Sequence, residues 1–327
     1  MPRLRIFFPF LFFLLAACRA STSVPARTPT LEPAALASPF PTPTLDRQSL
    51  IPAGAVKVTS GTDPTPPQVL SAEYERPVPI PGAVNTAGGE DSPFITPDGN
   101  TLYFFFTPDV NLPAEKQLLD GVTGIYVTQK VDGQWVSPER ILLQDPGKLA
   151  LDGCEFVQDN VMLFCSTREG YVGIHWFIAQ YRDGAWRDWK EADFPPDFQV
   201  GELHFNADGS QLYFASGRPG GKGGLDIWAS TRTNGAWQAP ANVEAVNTPD
   251  SEGWPALSPD GMELWLTRNY GLWRSVNVDG EWQPPEQIFS SLAGEASIDR
   301  AGNVYFVHHF FKDDQMIEAD IYVAYKK

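Results

Sequence analysis

Five strand-like runs each open on or beside a glutamate, at Glu90, Glu155, Glu202, Glu252 and Glu295. Carboxylates gathered at one place can ligate a cation, share protons or act on a bound sugar, and they repel one another unless something neutralises them. Three arginines, Arg168, Arg218 and Arg268, each follow the next apolar run. Antiparallel pairing would return each arginine to the edge where a glutamate sits. The spacing therefore predicts a structural ring in which Glu155, Glu202 and Glu252 pair with Arg168, Arg218 and Arg268. A pair that recurs in successive repeats belongs to the packing of the repeat rather than to chemistry. Glu90 and Glu295 have no such arginine, because Thr107-Pro108-Asp109 and His308-His309-Phe310 stand in its place.

Other residues with chemical capacity carry less weight. Glu202 and His204 are two apart and would share one face of a strand, a minimal beginning for a metal site. His175 beside Trp176 reads as packed. The glycines from Gly217 to Gly224 are not followed by the Lys-Ser/Thr of a phosphate loop. Neither Gly-x-Ser-x-Gly nor His-Glu-x-x-His occurs, so these hydrolase signatures are missing and no catalytic residue is assigned. Cys154 and Cys165 flank Asp159-Asn160 symmetrically, which in a two-residue hairpin places them face to face and predicts a disulfide. With no Cys-x-x-Cys, a redox role is the weaker reading.

The elements that must position these groups are read from a repeat. Asp132-Gly133-Gln134-Trp135, Asp183-Gly184-Ala185-Trp186, Asn234-Gly235-Ala236-Trp237 and Asp279-Gly280-Glu281-Trp282 share one pattern. Asn-Gly and Asp-Gly suit hairpin turns in which both central residues need positive φ. A second turn lies upstream of each, as at Pro97-Asp98-Gly99, Ala207-Asp208-Gly209 and Pro259-Asp260-Gly261. Two hairpins per unit make four antiparallel strands, repeated every 45 to 50 residues or so, the pattern of β-propeller blades. The last unit lacks a fourth strand, and Tyr74 to Thr86 echoes Trp237 to Thr248. The expected fold is thus all-β, a five-bladed propeller closed by the N-terminal strand. Closure makes the first and last units neighbours, and Glu90, Asp91, Glu295 and His308 would meet there as an unneutralised patch able to bind a divalent cation or a polyol. No other cofactor is indicated. The loop from Pro108 to Gly121 includes a short helical stretch and could lie over that patch.

The units resemble the WD40-like PD40 repeats of TolB-type and peptidoglycan-associated bacterial proteins, on Ser258-Pro259-Asp260-Gly261, Ser216-Gly217-Arg218-Pro219-Gly220-Gly221 and Asp226-Ile227-Trp228. The resemblance covers nearly all of 73–327. It implies the fold and suggests an envelope protein or a glycan as partner.

The N-terminus supplies the address. Arg3 and Arg5 precede the apolar run Ile6 to Leu15, an export signal too short to span a bilayer. Leu15-Ala16-Ala17-Cys18 looks like a lipobox, so the expectation is a lipoprotein signal peptide over 1–17 and lipidation of Cys18. Residues 18–71, rich in Pro, Thr, Ser and Ala, read as a semi-extended tether, and 72–327 as the propeller domain. The formal net charge of −16 argues against nucleic acid and against membrane contact beyond the anchor. These readings converge on an extracytoplasmic, monomeric binding or scaffolding lipoprotein. The rival is a glycoside hydrolase or lyase using channel-mouth carboxylates.

Overall fold

A computed structural model describes residues 45–195 and 198–327. The expected signal peptide and the expected lipidation site, Cys18, lie outside the described residues.

Each Asp/Asn-Gly turn has positive φ at both central residues, for example 50° at Asp132 with 77° at Gly133, and 53° at Asp279 with 90° at Gly280. That geometry matches the right-handed twist of the flanking strands and closes a tight hairpin. The first unit runs Gly89–Ile95, Thr101–Thr107, Gly124–Val131 and a broken outer strand of Gln134–Trp135 and Glu139–Arg140. The second is Ala150–Gln158, Val161–Arg168, His175–Arg182 and Ala185–Glu191. The third is Leu203–Phe205, Gln211–Ser216, Asp226–Thr233 and the pieces Ala236–Trp237 and Ala241–Asn242. The fourth is Gly253–Leu257, Glu263–Arg268, Gly271–Val278, then Glu281–Trp282 and Glu286–Ser290. The last has Ala293–Ile298, Val304–Lys312 and Gln315–Ala324, and its outer partner is Val78–Pro79, which pairs antiparallel through Val78 with Val323 and Pro79 with Tyr322. Within every unit the strands pair antiparallel in chain order. Four-stranded meanders of this kind, packed face to face in sequence, make a β-propeller.

The turn tryptophans fasten one unit to the one before it. Trp186 meets Tyr103 edge-on at 6.3 Å, and Trp282 meets Tyr213 at 6.0 Å while its indole N–H donates to the tyrosine oxygen at 3.2 Å. Trp135 shares a buried core with Tyr305 of the last unit, so the same join recurs between the ends of the chain. Aromatic pairs of this geometry add to burial roughly 0.5–1.5 kcal/mol each.

The stretch expected as a tether differs from that reading from Leu45 onward. Asp46 caps a short 3-10 turn, Arg47–Leu50. Gln68–Val69 then adds a strand to the outer edge of the fourth unit, opposite Phe289 and Ser290. Tyr74 is buried between Trp265 and Phe289. Composition pointed to disorder because the segment has little apolar periodicity. What orders it is a few polar side chains that reach buried groups in the first and last units.

Candidate functional site

The inner strands hold two sets of carboxylates, and a repeated irregularity separates them. In the first, second, fourth and last units the pairing of the inner strand slips between Asp91 and Phe94, Gly153 and Phe156, Gly253 and Ala256, and Gly294 and Ser297. At each slip a non-glycine residue has positive φ: 48° at Ser92, 54° at Cys154, 49° at Trp254 and 57° at Glu295. These are β-bulges, which re-aim side chains and recur beside functional sites. Counting from the bulge, Glu90 corresponds to Asp152, Glu252 and Ala293, whereas Glu295 corresponds to Ser92.

The first set is neutralised. Glu252 accepts from Thr248 N at 3.0 Å, from Thr248 Oγ1 at 2.5 Å and from Arg268 Nε at 2.6 Å. Arg268 also donates to Val246 O at 2.7 Å and lies over Trp273 at 4.5 Å. Glu90 repeats this arrangement with Thr86 N at 2.8 Å and Thr86 Oγ1 at 2.6 Å. Its guanidinium comes from Arg47, at 2.9 Å, which also donates to Val84 O at 2.7 Å and lies over Phe106 at 4.8 Å. The N-terminal segment thus supplies the arginine the first unit lacks. Glu90 is fully buried, and desolvation raises its pKa to about 6 although Arg47 opposes the shift.

The expected ring is corrected in two of its three pairs. Arg168 pairs with Asp152, at 2.8 Å, instead of Glu155, and is sandwiched by Phe177 and Trp189 at 4.3 Å each. The bulge at Cys154 carries Glu155 off that line. Arg218 lies over Trp228 at 5.1 Å, while the carboxylate of Glu202 interacts with Asp91. Only Glu252 with Arg268 pairs as the spacing implied.

The expected seam patch is likewise redrawn. His308 is fully buried, with Nε2 3.1 Å from Asp63 Oδ2, so the N-terminal segment supplies an anion here as it supplies a cation to Glu90. Lys57 bonds both Glu318 and Asp320 of the last unit, and Glu318 also accepts from Val58 N at 2.9 Å. Glu90 and His308 are therefore occupied structurally. Their chain neighbours, pointing the other way on the alternating strands, are the ones that converge.

Asp91, Glu295 and His309 place one ligand atom each within 4.8 Å of one another. Ser92 Oγ donates to Glu295 Oε2 at 2.7 Å, and Glu295 N donates to Thr267 Oγ1 at 2.8 Å. His309 Nδ1 faces Leu292 O at 3.3 Å. A carbonyl can only accept, so Nδ1 carries the proton and Nε2 keeps its lone pair. Burial pushes Glu295 well above the ordinary carboxylate range, and the Asp91 charge pushes further. Burial also raises Glu202, and raises Glu155 to about 8, with Asp91 acting on both. His309 is lowered by burial, against the pull of Asp91. Asp91 is the common neighbour of all four groups.

Beyond the bulges on the same inner strands, aromatic side chains meet. Phe94, Phe156 and His204, from the inner strands of three units, meet with centroids 4.7 to 6.3 Å apart. His204 Nδ1 faces its neighbour Phe205 O at 2.8 Å and burial lowers its pKa to about 4, so it packs in this layer as a neutral ring; the expected pair with Glu202 gathers no further ligand among the described residues. Cys154 and Cys165 are joined with Cα atoms 5.3 Å apart. Because Cys154 sits in the bulge, the residue directly opposite Cys165 is Gly153. His175 bonds Glu191 at 2.8 Å on the outer side of its unit. The loop after Thr107 forms the helix Ala114–Asp120, and Asn111 donates to Met316 O at 3.1 Å, which holds the loop against the last unit.

No protein-family model matches the chain, and no curated protein matches it either. Among solved structures it is similar to an endo-arabinase from Bacteroides thetaiotaomicron, at 16% identity and TM-score 0.47, over 76% of this chain and 98% of that one. A gluconolactonase from Xanthomonas campestris matches at 13% identity and TM-score 0.44, over 80% and 95%. A TolB from Agrobacterium tumefaciens, described as putative, matches at 13% and TM-score 0.40, over 74% and 92%. Likeness at this level says nothing of substrate or partner.

Proposed function

We propose that the chain is an exported lipoprotein, anchored through Cys18 after removal of residues 1–17, whose propeller is a five-bladed, non-catalytic binding module for an envelope protein or glycan. Supporting five blades and their closure are the antiparallel pairing within each unit, Val78–Pro79 completing the last one, and Trp135 packing beside Tyr305. The binding face is the axial end carrying Asp91, Glu155, Glu202 and Glu295.

One observation favours binding over glycoside hydrolysis. Asp91 and Glu295 have carboxylate oxygens within 4.8 Å of each other and of a ring nitrogen of His309. Three donors gathered at one point suit a shared proton or cation better than two carboxyls standing on opposite sides of a bond to be cleaved.

A glycan-array and hydrolysis screen with wild type and Glu295→Gln tests this reading. Binding without turnover in the wild type supports it; turnover that Glu295→Gln abolishes replaces it with the hydrolase reading. For the anchor, Cys18→Ala should move the protein from the membrane to the soluble fraction. Unchanged membrane retention would remove the lipoprotein assignment.

A further inference from the structure

We propose that Asp91, Glu295 and His309 form a binding site for a divalent cation of the Mn²⁺ or Zn²⁺ class. This deepens the assignment of the axial end as the binding face.

Four observations carry it. The three ligand atoms already converge within 4.8 Å, a few tenths of an ångström from the roughly 4–4.6 Å that donors on opposite sides of one ion span when its bonds are about 2–2.3 Å long. His309 presents the unprotonated Nε2 while Nδ1–H is held by the Leu292 carbonyl, the outer contact that fixes a ligating imidazole. Glu295 is held from two sides, by Ser92 Oγ on its carboxylate and Thr267 Oγ1 on its backbone N–H. Glu155, 6% exposed, has a carboxylate in which neither oxygen finds a hydrogen-bond partner among the described residues, and it interacts with Asp91.

The contrast with the paired carboxylates on the same strands sharpens the point. Glu90, Asp152 and Glu252 each meet an arginine at 2.6 to 2.9 Å. Glu295 and His309 converge on Asp91, and Glu155 and Glu202 lie within its electrostatic reach. Carboxyls held together away from water keep protons or take a cation in their place, and a divalent ion supplies two positive charges at one point. The mixed donor set selects the ion class: carboxylates suit Mn²⁺, imidazole suits Zn²⁺, and Ca²⁺ and Mg²⁺ take oxygen ligands.

The test is isothermal titration of chelator-treated wild-type protein with MnCl₂, ZnCl₂, CaCl₂ and MgCl₂ in separate runs. Binding of one Mn²⁺ or Zn²⁺ per chain is expected, at least about tenfold tighter than Ca²⁺ or Mg²⁺. Asp91→Asn and Glu295→Gln, both near-isosteric, should each weaken it by about 100-fold or more. His309→Gln should abolish the preference over Ca²⁺. Circular dichroism of every variant separates loss of binding from loss of fold. Absence of one-to-one binding by wild type at millimolar ion, or equal affinity in wild type, Asp91→Asn and Glu295→Gln, overturns the proposal. The glycan and hydrolysis screens do not bear on this result, so the binding-module reading and the cation site fail separately.

Discussion

Two groups of carboxylates share the inner strands and face opposite fates. Glu90 and Asp91 are adjacent, yet Glu90 is closed by Thr86 and Arg47, while Asp91 collects Glu155, Glu202, Glu295 and His309 around it. The first kind is part of the repeat, even where the repeat lacks its own arginine. Arg268 serves Glu252 from 16 positions away and Arg47 serves Glu90 from 43. The burial environment selects for a cation at that point in space, whatever part of the chain provides it, because an unpaired buried carboxylate is too costly to keep. The second kind has been left without such cations, which marks it as the region where stability has not been maximised.

The largest effect that would break this comparison is in the paired set. Arg268→Ala leaves Glu252 buried and unpaired and should cost about 3–5 kcal/mol in urea unfolding; a loss below about 1 kcal/mol would show that the pair is not structural. Arg47→Ala should cost about 3 kcal/mol by the same mechanism, with much of it restored by Glu90→Gln. No restoration would mean that Arg47 acts only through its stacking on Phe106.

The axial set should respond in the opposite direction. Unfolded glutamate loses its proton near 4.5, but burial holds Glu155 protonated to about 8. Between these values the folded chain binds the extra proton, so stability contributed by that proton is present at low pH and lost as pH rises through 8. Glu155→Gln in chelator-treated protein should therefore raise Tm by about 4 °C at pH 9 and scarcely at all near pH 4. An equal shift at both pH values would assign the gain to packing. The smallest effect belongs to the joins between units: Tyr213→Phe keeps both rings but removes the oxygen that accepts from Trp282 Nε1, for a cost of about 1 kcal/mol, and an unchanged midpoint would show that this bond adds nothing to the aromatic contact.

Much of the frame was legible from the chain. The Asp/Asn-Gly-x-Trp turns specify hairpins because few other residues tolerate two successive positive φ values, and the echo between Tyr74–Thr86 and Trp237–Thr248 located the strand that completes the last unit. It even marks a shared detail: Asn85 and Asn247 each donate to and accept from the backbone of a neighbouring strand, at Ile321 and Ile227. The site was legible only in part. Asp91 and Glu295 do converge, but with His309, whereas Glu90 and His308 are taken up by Arg47 and Asp63. Two causes separate the spacing from the outcome: Arg47 and Asp63 reach Glu90 and His308 from the N-terminal segment, and the inner strands bulge. Strict alternation assigns faces correctly only where pairing is regular, and one extra residue at Ser92, Cys154 or Glu295 reverses the faces beyond it. Positive φ at a serine, cysteine or glutamate leaves no signature in residue type, as it would at a glycine.

The segment from Leu45 to Ser71 teaches the same lesson at longer range. Its composition reads as tether, yet Arg47, Lys57 and Asp63 reach Glu90, Glu318 with Asp320, and His308. Local patterning, turn chemistry and repeat period therefore determine the strands and their order, since each depends on residues close in sequence. Which carboxylates are neutralised and which converge on the axis depends on bulges and on partners up to 263 residues apart, and charges that distant meet only once the tertiary structure has brought them together.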